Sequence, residues 1–233
     1  MSDDAVPADP LRGRIRSDAV DRTDSMPFGR GVSLFDSVYG FAMTLLIANV
    51  DPPPAEAWKS LDALMASGAS TQLLGFALSF VVIAVVWRAN VRLTRRLSGM
   101  DGPVTALNLL ATALVILIAF TTQGISDPAT TELALPTVLY ALNIAAVALT
   151  QSVMYQVARA RGLEAPRRPD RDNRLELIAA LITPLVFLAS VPVALLASAN
   201  AAKLTWLVLV VLNPLAGAVV RRRLRRPDAE PRR

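Results

Sequence analysis

The chain contains neither cysteine nor histidine. Without cysteine there is no disulfide framework and no thiolate metal site. Without histidine there is no Ser-His-Asp chemistry, no common zinc site and no imidazole pH switch. Charge is also scarce where the chain is apolar. Of the acidic residues, Asp36 alone lies well inside a long hydrophobic run. No cluster of catalytic groups falls within these runs, so no enzyme, cofactor or metal site is expected. What the 233 residues do contain is apolar side chains, at 53%, with a mean hydropathy of +0.44. Soluble domains are usually less apolar than this.

Those apolar residues are gathered into six runs, at about 33–50, 70–88, 104–122, 136–157, 175–198 and 203–220. A helix needs about 20 residues to cross the ~30 Å hydrocarbon layer, and each run is of that length. Six transmembrane helices are therefore expected. Residues 1–29 are polar, with mixed Asp and Arg and several Pro, and read as a disordered cytosolic arm. Residues 30–220 form the six-helix membrane domain. Residues 221–233 form a basic cytosolic tail. The fifth run contains Pro184 and Pro192, which read as packing kinks.

The net charge of +5 would suggest nucleic acid in a soluble protein. The placement of the arginines argues otherwise. Every one lies in the N-terminal arm, the second connection (Arg88–Arg96), the fourth connection (Arg159–Arg174) or the C-terminal tail. The other three connections carry Lys59 and Lys203 beside Asp51, Glu56, Asp62, Asp127 and Glu132. The positive-inside rule then puts both termini in the cytosol. The tail, RRRLRR, serves as a topology anchor that favours anionic lipid, and no nucleic-acid partner is expected.

Asp36 needs a reason. At a helix centre an aspartate costs about 2.5–3.5 kcal/mol to insert. It lies about one turn from the inner end of the first run. A helix-start role, with Ser33 as N-cap, is one explanation. A partner across helices is the better one, because Asp36 lies past the residues that need a cap. Asn49, Asn108, Asn143 and Gln151 read mostly as interhelical hydrogen-bonding groups, and Trp87 as an interfacial anchor.

At 100° per residue, Phe41, Thr44, Ala48 and Asp51 fall within about 40° of Ser37. Leu45 borders this stripe, and Asp36 lies about 100° off it. A lipid-facing stripe would be more uniformly large and apolar. A packing face and a pore-lining face both fit.

These residues resemble a known family. Arg30, Asp36 and Thr44-Leu45-Leu46 are similar to the first-helix signature of the transmembrane protein 175 family, which comprises endosomal and lysosomal potassium channels and bacterial homologues. That pattern is Arg, three residues, Phe-Ser-Asp, then an apolar helix with Thr-Leu-Leu. Here Leu34-Phe35-Asp36 replaces Phe-Ser-Asp, and the serine is displaced to Ser37. The segment Trp87 to Leu93 resembles the one after the family's second helix, with both histidines lost. Leu107-Asn108-Leu109-Leu110 and Leu139-Tyr140-Ala141-Leu142-Asn143 resemble the third and fourth helices. The last two match by hydropathy alone.

The resemblance implies an all-α homotetramer with six helices per subunit, helix 1 lining a central pore. It implies a constriction at Phe41, Leu45 and Ala48, with Ser37, Thr44 and Asp51 as polar groups on the pore face. Arg30, Asp36, Asn108 and Asn143 would be structural motif residues. Arg30 and Ser37 would join Asp36 in holding the inner end of helix 1. The expected function is a potassium-preferring channel in a bacterial plasma membrane, with potassium ions, lipid and its own copies as partners. The sequence carries no Thr-Val-Gly-Tyr-Gly filter, so a side-chain ring or an apolar constriction must do the filtering. The rival expectations are a proton-coupled transporter using Asp36 and a non-conducting scaffold of the same fold.

The arginine distribution generates a direct test. Reporter fusions at Gly124 and Gly162 should report opposite compartments, with Gly162 in the cytosol. One compartment for both would remove the six-span topology.

Overall fold

A computed structural model describes residues 20–22 and 25–224. The helices are α1 (Met26–Leu45), α2 (Leu61–Ala66), α3 (Ala69–Thr94), α4 (Gly102–Ser126), α5 (Ala134–Ala160), α6 (Asp170–Leu196), α7 (Ala199–Trp206) and α8 (Val208–Leu224). Two 3₁₀ turns, Leu46–Asn49 and Ala55–Lys59, lie between α1 and α2. Among the described residues six helical stretches are long and apolar enough to cross a membrane: Phe28–Asn49, α3, α4, α5, α6 and Ala199–Leu224. These are the six runs of the sequence, and the chain is a multi-pass membrane protein.

The helices outrun the apolar runs mainly at the arginine-rich end. The fifth span starts at Asp170, not near 175, because its first turn carries Asp170 and Asp172. Acidic groups there favour the helix N-terminus. The first span also starts earlier than the apolar run. Its N-cap is Ser25, whose hydroxyl accepts from the Phe28 N–H, and Pro27 stands in its first turn. Proline is tolerated there because its missing N–H has no intrahelical partner anyway. The polar arm therefore gives way to helix at Met26. Before it, strand β1 (Asp21–Arg22) pairs antiparallel with β2 (Gly99–Met100). The remainder of the expected arm, residues 1–19, and the tail from 225 onward lie outside the described residues.

The main core joins Tyr39, Ala42 and Leu46 of α1 to Ile83 and Val86 of α3, Val115 and Ile118 of α4, and Tyr140 and Ile144 of α5. Tyr140, Phe187 and Trp206 form an aromatic cluster with ring centroids 5.2–6.4 Å apart, which ties α5 to α6 and α7. Trp206 Nε1 donates to Ser190 Oγ at 2.9 Å. A second core at the arginine-rich end packs Phe35 with Leu97, Met100, Val104, Met154 and Leu163.

Outside that second core an ion-pair network joins the two arginine-rich connections. Glu176 accepts from Arg96 and Arg168. Buried Glu164 accepts from buried Arg159 and from the Tyr155 hydroxyl. Asp101 caps α4 by accepting from the Val104 N–H and also pairs with Arg161. Burial disfavours the charge on Arg96, but the hydrogen bond and charge of Glu176 outweigh it and hold the guanidinium above its usual range. Removing one partner of a buried pair such as Arg159–Glu164 typically costs about 3–5 kcal/mol.

At the opposite end α3 and α4 touch at Gly75. A Cβ there would lie 2.3 Å from the Ser126 Cβ, closer than carbon atoms approach. Gly75→Ala should push the two helices apart and destabilise the protein by about 1–3 kcal/mol, the usual cost of overpacking. Gly102→Ala, where an added methyl meets nothing within 4 Å, should be close to neutral. Thermal unfolding of both variants in detergent checks this.

Candidate pore-lining helix and its anchors

Helix α1 carries most of the predicted site residues, and its two faces differ. Phe35, Tyr39, Ala42 and Leu46 are buried. Opposite them Ser37, Phe41, Thr44 and Ala48 are exposed, with Phe41 at 61%, while Leu45 is half-buried at the edge. The structure thus brings the predicted stripe onto one unpartnered face. Leu34, Gly40 and Ile47 share that exposure and were not among the predicted residues. Leu34 was open to the same reasoning, since it stands three residues before Ser37. Ile47 was hidden by a change of pitch. The α-helix ends at Leu45 and a 3₁₀ turn follows, so the 100° step becomes about 120°.

The exposed face differs in kind from those of its neighbours. On α4 the exposed side chains along the middle of the span are Leu109, Leu110, Ala113, Ile116, Leu117 and Phe120. On α1 they alternate serine, glycine and threonine with Leu34, Phe41 and Ile47. The hydroxyls of Ser37 and Thr44 donate to their own helix, to Ser33 O at 2.7 Å and Phe41 O at 2.7 Å. Each oxygen still has acceptor capacity toward the open side.

The buried side is anchored at three heights. At the arginine-rich end Trp87 Nε1 donates to Asp36 Oδ1 at 2.9 Å. Asp36 is thus neither a capping group nor alone. Ser33 is no cap either; it lies within α1 and its hydroxyl donates to Gly29 O. At mid-height Gln151 donates to the Tyr39 hydroxyl at 3.1 Å and to Val86 O at 3.2 Å, joining α5, α1 and α3. At the opposite end Asn49 donates to Ala119 O at 2.6 Å. There Asp51 and Gln72 also exchange two bonds, each 3.1 Å, and fix the start of the following loop to α3. Asp51 remains exposed.

Several expected partners do not join this anchor. Ser37 bonds within its own helix, and Arg30 lies exposed on α1 rather than beside Asp36. Six residues of α-helix separate Arg30 from Asp36 by about 240°, which puts them on different faces. Trp87 takes their role. Asn108 and Asn143 are buried in α4 and α5, and neither amide has a hydrogen-bond partner among the described residues.

The sequence profile of one family, described as the endosomal/lysosomal potassium channel TMEM175, matches residues 30–118. Those residues hold α1 from Arg30 onward, both partners of the Asp36–Trp87 bond and Asn108. Over them the chain is similar to the TMEM175 family. The Leu139–Asn143 resemblance lies outside the matched residues. Among curated proteins nothing matches. Among solved structures the chain is similar to the crystal structure of a lysosomal potassium-selective channel TMEM175 homologue from Chamaesiphon minutus. The TM-score is 0.62 at 20% identity, over 87% of this chain and 100% of that one. At this identity the likeness establishes a shared fold, and it extends the TMEM175 architecture well beyond the profile match. The family is one of channels and not of enzymes.

The anchor yields a test that separates structure from permeation. Trp87→Phe removes one interhelical donor and should cost about 0.6 kcal/mol, the average for such a bond between membrane helices. Asp36→Asn can still accept from Trp87, so it should cost less than Asp36→Leu. Both Asp36 variants should reduce folded, assembled protein, measured by size-exclusion yield, more than they alter ion preference. Normal assembly with altered ion preference would place Asp36 on the pathway.

Proposed function

We propose that this protein is a potassium-preferring cation channel of a bacterial plasma membrane. It assembles as a homotetramer with both termini in the cytosol, and the exposed face of α1 lines the central pathway. The observation that carries this reading is the face itself. Four copies of a lipid-facing helix would present large apolar side chains, as α4 does. The α1 face instead alternates hydroxyls and glycine with Leu34, Phe41 and Ile47. The match of residues 30–118 to a family described as potassium channels, and the fold shared with a protein described as potassium-selective, support the same reading.

Phe41 is the narrowest point on this account, with Leu45 and Ala48 beyond it. Four phenyl rings near an axis exclude water, and an apolar constriction gates by dewetting. An ion stripped of water there meets no ring of carbonyls, so resting transport is slow. Ser37 and Thr44 supply oxygens on either side of the ring. Four copies of Asp51 raise the cation concentration at the outer mouth, each carboxylate held in place by Gln72. Arg221, Arg222 and Arg223 rest against anionic lipid at the inner surface. The transporter alternative asks Asp36 to carry a proton, but that carboxylate is engaged by Trp87 on the side away from the stripe.

Liposome flux at matched protein density tests the assignment. Phe41→Ala should widen and wet the pathway, raising flux several-fold and blurring the distinction between potassium and sodium. Leu45→Ala should do so more weakly. Val210→Ala, exposed on α8, should leave flux unchanged. A Phe41→Ala protein that assembles normally and conducts as before would show that the pathway does not follow this face.

A further inference from the structure

At the end away from the arginines, α4 and α5 border a groove of about 270 Å³. Its floor is set by Gly124, where an added Cβ would stand 3.0 Å from the Pro136 Cβ. The loop above is tied down from several directions. Thr130 Oγ1 donates to Gly124 O and Thr131 Oγ1 to Ile125 O, both at 2.8 Å. Lys203 of α7 donates to Ile125 O at 3.1 Å and to Thr131 O at 2.6 Å. The rim is therefore built from bonded parts.

The lining changes character with depth. Phe120 and Leu139 lie lowest, about two turns below the end of α4, and both are exposed, as is Leu135 nearer the rim. Gln123, Asp127 and Thr130 stand at the rim. Asp127 is the residue just past α4, at the level where the span ends. Its Oδ1 accepts from the Ala129 N–H at 2.8 Å. Its Oδ2 has no partner among the described residues. A carboxylate at the interface above an apolar slot in the hydrocarbon layer is complementary to one kind of molecule. That molecule is a lipid whose headgroup ends in a cation, with a hydrocarbon chain below it.

We propose that this groove is a lipid site, taking a phospholipid whose headgroup carries a primary amine. The ammonium pairs with Asp127 Oδ2 and donates to the Gln123 carbonyl. One acyl chain lies against Phe120, Leu135 and Leu139. The volume accommodates part of a single chain, so the rest of the lipid belongs to the surrounding layer. The proposal depends on the membrane placement of α4 and α5 and not on ion conduction, so a failure of the channel reading leaves it standing.

The test uses the full chain, stripped of lipid in detergent and followed by native mass spectrometry. Phosphatidylethanolamine, phosphatidylglycerol and diacylglycerol are each added at the same mole fraction. Phosphatidylethanolamine should be retained over the other two. Asp127→Asn keeps an oxygen for the Ala129 N–H and so keeps the loop. It should lower phosphatidylethanolamine retention about two- to five-fold, the worth of one interfacial ion pair, and leave diacylglycerol unaffected. Leu139→Trp, which fills the deep end, should lower retention of all three. Equal retention of the three lipids overturns the proposal, as does unchanged phosphatidylethanolamine binding in Asp127→Asn. The chain lacks cysteine, so a Leu135→Cys variant gives an unambiguous control in membranes. A disulfide between two copies there would mean that a second subunit covers the groove, and would also overturn it.

Discussion

Inside the hydrocarbon layer there is no water to complete a broken hydrogen bond, and the arrangement of α1 follows from that. Each polar side chain on the inward side of this helix must find its partner on another helix. Asp36 finds Trp87, Tyr39 finds Gln151, and Asn49 finds the Ala119 carbonyl. The bonds are individually modest, about 0.6 kcal/mol on average for such pairs. Their spacing matters more than their strength. Three anchors at three heights fix both the rotation of α1 and its vertical position. A helix fixed in this way has no choice about which face is left over.

The arginines at the opposite pole from the lipid groove have a second role that their number conceals. Charge counting treats them as interchangeable markers of one side of the membrane. In the fold they are differentiated. Arg159 is buried against Glu164, Arg96 and Arg168 share Glu176, and Arg161 reaches Asp101. The network joins the connection after α3 to the connection after α5, and the short pairing of β1 with β2 adds the chain just before α1 to the same end. Long-range electrostatics and local ion pairing therefore draw on the same residues. This end of the bundle is closed by side chains rather than by helix packing alone.

Much of this was legible in the sequence because it depends on local properties. Apolar run length gives the six spans, and the 3.6-residue repeat gives the Ser37–Phe41–Thr44 face. What was not legible depends on contacts between distant parts of the chain. Trp87 is 51 positions from Asp36, and a tryptophan at a span end has an ordinary interfacial explanation, so nothing local marks it as a donor. Arg30 and Ser37 looked like better partners only because they are near in sequence. The early start of α1 turned on Ser25 and Pro27, cap signals that a hydropathy reading passes over. The groove above Gly124 is a property of two helices and a loop together. Asn108 and Asn143 were expected as polar motif residues. They are buried as such residues would be, but their amides have no partner among the described residues that explains them.

The change of pitch at Leu46–Asn49 has a mechanical consequence. An α-helix advances 1.5 Å and about 100° per residue, and a 3₁₀ helix 2.0 Å and about 120°. Rewinding these four residues as α-helix would shorten the outer end by about 2 Å and turn whatever follows by about 80°. The body of α1, held from Asp36 to Tyr39, would not need to move. Ile47 and Ala48 would swing relative to Phe41, and the opposing force would come from the Asn49–Ala119 and Asp51–Gln72 bonds. The last turn of this helix is therefore a screw thread of adjustable pitch, with its two set-screws on neighbouring helices.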